Sequence, residues 1–335
     1  MIKLKTALIG CGRISSVYKD SFIELEDISD LVFVVDKVFE RASAFASDFN
    51  CGYSNDYLDL LSMDIDVVHI CTPHFLHREQ AERCMLAGMN VLTEKPMAIS
   101  LTDADSMIAS AAASGRKLGV IYQNRYNDGI SKAKSLIASG ELGNIKGAWS
   151  HLTGWRPPSY YECDWKGSWA KEGGGVLMDQ AIHSIDLVSY LVDSPVKWIH
   201  GHIDNRILKT VEVEDVADAV IEFENGCIYS LYACNYYKNN SPVQIEILGE
   251  HGRINIKGSD VYLNRDDKTL VLSNQDRLTG ETSYWGSFHK IQIKSFYESV
   301  LYNSPVITDG SEGRKSLSIV LGVYESSKTN QKVYL

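Results

Sequence analysis

Short apolar runs alternate with amphipathic segments along the first 125 residues of the chain. The segment 77–87 has a helical pattern and ends at Gly88, and a second helix is predicted from the capping-box sequence Thr102-Asp103-Ala104-Asp105 to Gly115. The apolar runs are typical of strands buried on both faces of a parallel sheet, and they cover residues 7–9, 31–35, 67–71, 90–93 and 117–122. Strands that alternate with helices predict a doubly wound α/β domain over residues 1–125.

The pattern changes after about residue 140, where strand-like segments follow one another with few helices between them. Turn signals occur at Asn225-Gly226 and near Gly249. One strong helix is predicted at 176–191, and a final helical run at 312–327 is expected to pack back near the first domain. The strand-like segments are 145–152, 197–203, 216–223, 227–234, 243–248 and 253–256. We therefore predict that residues 126–335 form an α+β domain with a large, mainly antiparallel sheet.

Composition and charge narrow the classes of function. A chain of 335 residues is long for one hydrophobic core, and 44% hydrophobic and 23% charged residues are ordinary for a globular protein. The net charge of −10 argues against nucleic acid and against an anionic membrane surface as partners. An anionic small substrate is still compatible with this charge, because a local basic pocket can override the field of the whole protein.

The N-terminus and the cysteines predict a cytoplasmic protein. No apolar run approaches the roughly 20 residues that a membrane helix needs, and the residues after Met1 enter a strand without the pattern of a signal peptide. The seven cysteines are widely spaced and include no Cys-x-x-Cys sequence, which favours reduced thiols and predicts no structural metal. His74 and His77 are three residues apart, but no further ligands follow at a suitable spacing.

The first predicted strand ends in a glycine turn that is typical of dinucleotide-binding domains. Gly10-Cys11-Gly12-Arg13-Ile14-Ser15 has the pattern G-x-G-x-x-S. The first two glycines permit a tight turn and a close approach of the backbone to a pyrophosphate, and a serine stands where a third glycine usually allows helix–strand packing. We predict that Gly10, Gly12, Arg13 and Ile14 belong to the cofactor site.

Asp36 ends the second predicted strand, 24 residues after Gly12. A carboxylate at this place can bind both ribose hydroxyls of NAD, and it repels the 2′-phosphate of NADP. The alternative is that Asp36 is a turn residue at the end of a strand. Lys37 follows directly and could tolerate a phosphate, so NAD is the preferred cofactor and NADP stays open.

Two further features suit acid–base chemistry. Lys95 follows the strand at 90–93, and open α/β sheets bind ligands at the carboxyl ends of their strands. Asp179 and His183 are four residues apart in the predicted helix, so they would share one face, and the glycines at 173–175 precede them. Histidine can remove a hydroxyl proton near neutral pH, while a lysine can stabilise the developing charge on the same oxygen. For His183 taken by itself, a buried structural histidine is the alternative.

In order and spacing, these motifs resemble those of the glucose–fructose oxidoreductase / inositol 2-dehydrogenase / MocA family. The motifs are the glycine turn, Thr72-Pro73 followed by His77, Glu94-Lys95-Pro96, Gln123-Asn124-Arg125-Tyr126 and the pattern G-G-G-x(3)-D-x(3)-H. The resemblance extends over essentially the whole chain. It implies a Rossmann NAD(P)-binding domain followed by a substrate domain, in an enzyme that acts on sugars, cyclitols or their nucleotide derivatives.

The resemblance also implies roles for individual residues. Lys95, Asp179 and His183 would form a catalytic triad in which His183 is the acid–base. The implied cofactor residues are Gly10, Gly12 and Asp36 for the adenosine half, Thr72, Pro73 and His77 for the nicotinamide side, and Glu94 for the nicotinamide ribose.

Aromatic and basic residues gather just before the catalytic helix. Four tryptophans lie within 21 residues, at 149, 155, 165 and 169, together with Tyr160 and Tyr161. Such rings stack on the C–H faces of sugars, although core packing is at least as good an explanation for each one. Arg125, Arg156 and Lys166 could contact a phosphate or carboxylate of the substrate. Asp186 is either substrate-facing or a structural partner. The predicted substrate-binding residues are Asn124, Arg125, Trp155, Arg156 and Trp165.

The sequence therefore predicts an NAD(P)-dependent dehydrogenase that acts on a ring CH–OH group of a sugar or cyclitol. An NAD-dependent glycosidase with transient oxidation and a non-catalytic nucleotide or sugar sensor are the alternatives. One face of the second-domain sheet is expected to form a homodimer or homotetramer.

Overall fold

The computed structural model describes residues 3–274 and 288–335 of the chain. It divides the chain into two compact units, the first made of Met1–Tyr122 with Ser287–Arg314 and the second of Gln123–Gly286 with Lys315–Leu335. The domain boundary predicted at 125 lies close to the end of the first of these segments. The predicted boundary places residues 287–314 in the second domain, but the structure groups this segment with the first unit.

The first unit contains a six-stranded sheet in the order β3-β2-β1-β4-β5-β6, and all of its strand pairs are parallel. The strands are β1 Leu4–Ile9, β2 Ser29–Val35, β3 Gly52–Ser54, β4 Val67–Ile70, β5 Asn90–Thr93 and β6 Leu118–Val120. The strand order reverses at β1, so the carboxyl ends of β1 and β4 flank the crevice in which such sheets bind nucleotides. The Rossmann prediction is confirmed. Strand β3 was not predicted, because its three residues include no apolar run.

The second unit contains a nine-stranded sheet in the order β14-β13-β12-β11-β7-β10-β9-β8-β15. Its strands are β7 Ile145–Thr153, β8 Val196–Asp204, β9 Val216–Phe223, β10 Ile228–Cys234, β11 Gln244–Gly249, β12 Gly252–Lys257, β13 Asp260–Arg265, β14 Lys268–Ser273 and β15 Val333–Tyr334. Neighbouring strands are antiparallel except β7 and β10, which run parallel. The prediction of a large, mainly antiparallel sheet is confirmed, although the strands towards its edges, β13 to β15, were missed.

The helices of the described residues show where local signals set the element ends. They are α1 Ser15–Glu24, α2 Phe39–Phe49, α3 His77–Leu86, α4 Leu101–Ser114, α5 Asp128–Ala138, α6 Ile182–Val192, α7 His289–Leu301 and α8 Gly310–Thr329. The N-cap of α4 is Ser100, whose Oγ accepts a hydrogen bond from the Asp103 amide at 3.1 Å. The capping box predicted to start at Thr102 is therefore wrong by two positions. Gly115 ends α4 in the left-handed conformation with φ 65°, as predicted.

Helix α7 belongs to the first unit because its apolar side chains complete that unit's core. Ile293, Phe296 and Tyr297 are buried in the same cluster as Leu8 and Val34. Polar contacts add to this packing: Gln292 donates to the carbonyl of Val120 at 2.7 Å and accepts from the Tyr122 amide at 3.0 Å. The sequence analysis did not predict α7, although its apolar residues Ile293, Phe296, Tyr297 and Val300 have the helical spacing i, i+3, i+4, i+7.

Helix α8 corresponds to the final helical run predicted at 312–327. Its start lies in the first unit, where a Cβ on Gly313 would come 2.7 Å from Val120. Most of its length belongs to the second unit, where Ser326 and Ser327 accept hydrogen bonds from the backbone of β8 at 3.1 and 3.0 Å. The expectation that it packs near the first domain therefore applies to its first turn. None of the helices in the described part of the chain is long and apolar enough to cross a membrane.

Candidate active site

The glycine turn follows β1 in the first unit, and its two glycines differ in the space around them. Gly10 has φ +100°, and a Cβ there would lie 2.6 Å from the carbonyl oxygen of Cys71, so this position needs glycine. A Cβ on Gly12 would meet no described atom within 4 Å. The backbone at Gly12 is therefore open to a ligand, which fits the approach of a pyrophosphate.

The serine at the third glycine position supports the turn. Ser15 is the first residue of α1, and its Oγ donates to the carbonyl of Gly12 at 2.6 Å. Arg13 is exposed and Ile14, at the N-cap position of α1, is half-buried. The turn therefore leads directly into a helix N-terminus, where backbone amides favour a phosphate group. Cofactor contacts by Arg13 and Ile14 stay predictions.

Asp36 follows β2 and is tied to the glycine turn. Its Oδ2 accepts a hydrogen bond from the Cys11 amide at 2.8 Å, and its Oδ1 accepts one from the Val38 amide at 2.8 Å. The side chain is buried, so it cannot swing away from the end of the sheet. Each carboxylate oxygen has two lone pairs and can accept a ribose hydroxyl in addition to the backbone amide. The geometry thus fits an NAD ribose.

Thr72, Pro73 and His77 form a second group at the same sheet edge, directly after β4. His77 is buried, with Nδ1 2.8 Å from the carbonyl oxygen of Pro96 and Nε2 2.8 Å from that of Thr72. Burial lowers the pKa of His77, while the carbonyl groups of Thr72 and Pro96 act in the opposite direction. The ring therefore joins the loop after β4 to the loop after β5. Contact of these residues with the nicotinamide stays a prediction.

Glu94 and Lys95 follow β5, the next strand of the sheet. Glu94 is buried and accepts a hydrogen bond from the Tyr18 hydroxyl at 3.0 Å, and its Oε1 lies 3.7 Å from Nε2 of His289. Burial alone would raise the pKa of Glu94, but His289, Lys95 and Tyr18 together lower it. Glu94 is thus held as a carboxylate inside the first unit. Lys95 is half-buried, and its peptide bond to Pro96 is cis.

In the second unit, Gly174 and Gly175 precede the helix that carries Asp179 and His183, and both allow close packing. A Cβ on Gly174 would overlap the hydroxyl of Tyr324, and one on Gly175 would overlap the carbonyl of Glu214. Glu214 is buried and accepts hydrogen bonds from the amides of Gly175 and Leu177 at 2.7 and 2.9 Å. It also accepts one from the Tyr324 hydroxyl at 2.9 Å. Burial raises the pKa of Glu214 to about 7, against the effect of these donors.

The helix that carries Asp179 and His183 does not begin as the regular α-helix predicted at 176–191. Residues Leu177–Ala181 form a turn of π-helix, and α6 continues from Ile182 to Val192. Asp179 lies in the π-helical turn and His183 in the first turn of α6. The prediction that they share one face assumed regular α-helix, so the structure removes that argument. Turns of π-helix are frequent at functional sites.

Asp179 is buried and accepts several hydrogen bonds on one oxygen. Its Oδ2 accepts from Lys166 Nζ at 3.0 Å, from Gln180 Nε2 at 2.5 Å and from the hydroxyl of Tyr160. Lys166 was a candidate to contact a phosphate or carboxylate of the substrate, but its amine also donates to Glu172 at 3.0 Å. Burial alone would lower the pKa of Lys166, but Asp179, Tyr160 and Glu172 raise it well above its ordinary value. Lys166 is therefore engaged by internal carboxylates.

Arg125 and Asp186 form a buried ion pair in the second unit. Nε and Nη2 of Arg125 donate to the two carboxylate oxygens of Asp186 at 2.8 and 2.7 Å, and Ser316 donates to Asp186 at 2.8 Å. The guanidinium also lies 4.6 Å from the centre of the Tyr190 ring. Asp186 therefore has a structural partner in Arg125. Substrate contact by Arg125, and by the adjacent half-buried Asn124, stays a prediction.

Two of the predicted aromatic and basic substrate residues, Trp165 and Arg156, lie beside Lys166 and Tyr160. Trp165 is half-buried with its ring 4.4 Å from Lys166 Nζ, and the guanidinium of Arg156 lies 5.3 Å from the centre of the Tyr160 ring. Arg156 also donates to the carbonyl of Trp155 at 3.0 Å. Trp149 and Trp169 are exposed and donate to Glu246 and to the carbonyl of Glu212.

The sequence did not indicate Glu172, Glu214 or Tyr324 as parts of this site. Glu172 directly precedes the glycine run, which was the nearest available signal. Glu214 and Tyr324 lie far from the run in sequence, and no local pattern connects them to it. Within the described residues, no group of three or more His, Cys, Asp or Glu side chains could hold a metal ion.

Two family models match the chain. Residues 4–122 match the oxidoreductase family with an NAD-binding Rossmann fold, and residues 130–255 match the GFO/IDH/MocA C-terminal domain. The chain belongs to the GFO/IDH/MocA oxidoreductase family. The resemblance inferred from the motifs is thereby confirmed, as are the oxidoreductase activity and NAD as the cofactor.

Relatives of known activity align with almost the full length of this family member. It is 24% identical to D-glucoside 3-dehydrogenase of Escherichia coli K12, over 99% of this chain and 97% of the relative. It is 22% identical to myo-inositol 2-dehydrogenase of Thermotoga maritima, over 99% and 98%. The crystal structure of the WlbA dehydrogenase from Bordetella pertussis, in complex with NADH and UDP-GlcNAcA, is 26% identical, with a TM-score of 0.89 over 99% of this chain and 98% of the other.

Proposed function

We propose that this oxidoreductase transfers a hydride from a ring CH–OH group of a sugar, a cyclitol or a sugar derivative to NAD. The observation that carries the proposal is the position of Lys95 at the carboxyl edge of the sheet whose glycine turn is bordered by Asp36. A reactive cation and a dinucleotide site at one sheet edge suit oxidation of a small polar molecule. The relatives named above act on glucosides and inositol, which supports this class of substrate.

The cofactor site fits NAD on the geometry of the first unit. The open backbone at Gly12 accepts the pyrophosphate, the N-terminus of α1 favours its charge, and Asp36 accepts the ribose hydroxyls. NAD, when bound, supplies the nicotinamide carbon that accepts the hydride. His77 keeps the loops after β4 and β5 together, so that Thr72 and Lys95 hold fixed positions at this edge.

His183 is the proposed base. Oxidation of the alcohol breaks its C–H and O–H bonds: the hydride carries both electrons of the C–H bond to NAD, and the hydroxyl proton passes to the imidazole. Lys95 donates a hydrogen bond to the same oxygen and stabilises its developing negative charge. Asp179 orients the substrate or stabilises the imidazolium that forms. A carboxylate held in place by a hydrogen bond from Lys166 suits this task.

The alternatives predict different products. A glycosidase that oxidises its substrate transiently would release an aglycone without net NADH. A sensor would bind NAD without turnover, but it would have no use for Lys95, Asp179 and His183 together. Net oxidation is therefore our preferred function, because these three residues supply the cation, the carboxylate and the base that net oxidation needs.

We further propose a cytoplasmic homodimer or homotetramer. Trp149, Val220, Ile228 and Leu248 lie on one face of the second-unit sheet and are each more than a third exposed. Exposed apolar side chains on a broad sheet face are typical of an interface between subunits. Sedimentation of the purified protein would test this, and a monomer at micromolar concentration would contradict it.

The test of the function is NADH absorbance with purified protein, NAD and a panel of free sugars, sugar phosphates, inositols and nucleotide sugars. We expect a substrate-dependent rise with at least one class. The matched control is His183→Asn, which should bind NAD normally and give no rise. Release of aglycone from a glycoside at constant NADH absorbance would instead identify the glycosidase. A flat trace with every class, with NAD binding confirmed separately, would contradict the proposal.

A further inference from the structure

The loop before the catalytic helix is organised around one buried lysine. Lys166 Nζ lies 3.0 Å from Asp179 Oδ2 and 3.0 Å from Glu172 Oε1, and its side chain is 13% exposed. The amine also faces the rings of Tyr160 and Trp165, at 4.5 and 4.4 Å from their centres. A buried cation requires such compensation, because the loss of water is costly for an ammonium group.

Glu172 holds the lysine and its loop at the same time. One carboxylate oxygen accepts from Lys166, and the other accepts from the Gly167 amide at 2.5 Å. Gly167 has φ +75°, and a Cβ there would come 2.7 Å from Val211, so the backbone at this point has little freedom. The amide of Glu212 donates to the Gly167 carbonyl at 2.8 Å. The position of Lys166 is therefore determined by its loop before any substrate binds.

These contacts argue against Lys166 as a binding group for a substrate anion. Its positive charge faces two carboxylates, and an anionic substrate would have to displace one of them. Both carboxylates are themselves buried, so displacing either would leave an unpaired charge away from water. The contacts of Lys166 indicate instead that it controls the position of the Asp179 carboxylate.

We propose that Lys166 is a positioning residue, which fixes the carboxylate of the proposed catalytic Asp179 through a direct ion pair and is itself fixed by Glu172. The kinetic part of this inference rests on the proposed function. Tyr160 and Gln180 donate to the same oxygen of Asp179, and together with Lys166 they set the orientation of the carboxylate. Lys166 acts on the reaction through Asp179 and needs no contact with substrate.

A thermal double-mutant cycle tests the ion pair without any need for activity. Lys166→Met should lower the Tm by about 5 °C, since it leaves two buried carboxylates without their cation. In the Asp179→Asn background the same change should lower the Tm by clearly less, because one of those carboxylates is absent. Equal shifts in the two backgrounds would overturn the proposal.

Steady-state kinetics test the positioning role. In Lys166→Met we expect kcat to fall by about 100-fold, the cost of a misplaced catalytic group, with the KM for NAD within about twofold of wild type. Lys166→Arg keeps the charge and should recover at least about a tenth of the wild-type kcat. Lys171→Met is the matched control, since Lys171 lies in the same loop and its amine donates to the carbonyl of Asp164. The kcat of Lys171→Met should equal that of the wild type.

The outcomes separate this inference from the proposed function. A Lys166→Met enzyme with the kcat of Lys171→Met would overturn the positioning role even if the thermal cycle shows coupling. An equal loss of kcat in Lys166→Met and Lys166→Arg would overturn it too, because the charge would then be irrelevant. If the wild type oxidises none of the panel compounds, the proposed function fails, and the thermal cycle alone decides whether Lys166 fixes Asp179.

Discussion

The carboxylate of Asp36 accepts a hydrogen bond from the backbone amide of Cys11, with Oδ2 and N 2.8 Å apart. This contact links the end of β2 to the middle of the glycine turn after β1. The residue that is predicted to bind the ribose therefore also holds the turn that is predicted to bind the pyrophosphate. Changes at Asp36 should affect both parts of the cofactor site at once.

Asp36→Ala should weaken NADH binding by about 10- to 100-fold, the effect of losing hydrogen bonds to a charged group. The affinity for NADPH should fall by less, because the carboxylate that repels the 2′-phosphate is removed. Titration by NADH fluorescence measures both constants. Asp30→Ala is the control, since Asp30 lies on β2, the strand that Asp36 follows, is exposed and pairs with Lys3. An unchanged ratio of the two affinities would contradict the assignment of Asp36.

Gly10→Ala and Gly12→Ala should separate folding from binding. Alanine at position 10 would be strained at φ +100° and would collide with Cys71, so we expect it to reduce the free energy of unfolding by about 1–3 kcal/mol. Alanine at position 12 has room, so the Tm should stay as in wild type while NADH binding weakens. Denaturant unfolding and NADH titration of both variants check this. Normal NADH affinity in Gly12→Ala would argue against a pyrophosphate at this turn.

Lys95→Ala should reduce kcat by about a thousandfold, the scale at which a hydrogen-bond donor to a developing oxyanion contributes. The measurement is turnover with the best substrate of the panel, after NADH binding has been shown to be intact. Lys19→Met, which removes an exposed lysine paired with Asp48, is the control for charge. Near-normal turnover in Lys95→Ala would refute its catalytic role.

Glu214 should make the protein less stable as the pH rises towards neutrality. Its folded-state pKa of about 7 lies above the unfolded value of about 4.3. The contribution of Glu214 to the free energy of unfolding is therefore fully present below the unfolded pKa, and it is lost as the pH rises through the folded pKa. The loss attributable to Glu214 should reach at most about 4 kcal/mol by pH 8.

Glu214→Gln should remove the part of the pH dependence of stability that comes from Glu214. Unfolding by denaturant at several pH values between 4.5 and 8, compared between variant and wild type, measures it. Burial also raises the pKa of Glu172 to about 7, so the variant should keep a shallower slope of the same sign. Identical slopes in the two proteins would show that Glu214 is not the titrating group.

Arg125→Met should destabilise the protein by about 3–5 kcal/mol, because it leaves the buried carboxylate of Asp186 without its partner. Lys3→Met breaks the exposed pair with Asp30 and should cost no more than about 1 kcal/mol. Equilibrium unfolding of the two variants gives the comparison. Similar small losses in both would mean that the Arg125 pair contributes no more than a surface pair.

Local patterns determined much of the first unit. Strand β5 occupies the predicted residues, and β9 in the second unit does so too, because runs of apolar and β-branched residues with turn signals at their ends specify a strand locally. The glycine turn, Asp36 and Lys95 could be located because each follows a strand of the sheet. Strand β3 escaped prediction because its three residues contain no apolar run. Helices α5 and α7 were not predicted, although their apolar residues recur at helical spacing.

The tertiary structure alone decided which side chains meet. The sequence left Arg125 and Lys166 as candidates for substrate contact, and folding pairs Arg125 with Asp186, 61 residues away, and Lys166 with Asp179 and Glu172. The glycine run pointed to a close approach without naming its partners, which are Glu214 and Tyr324. A hydrogen bond between distant residues depends on how whole elements pack, and no local period records it. The sequence by itself thus determined the elements and the kind of chemistry, and packing decided which charges are compensated inside the protein.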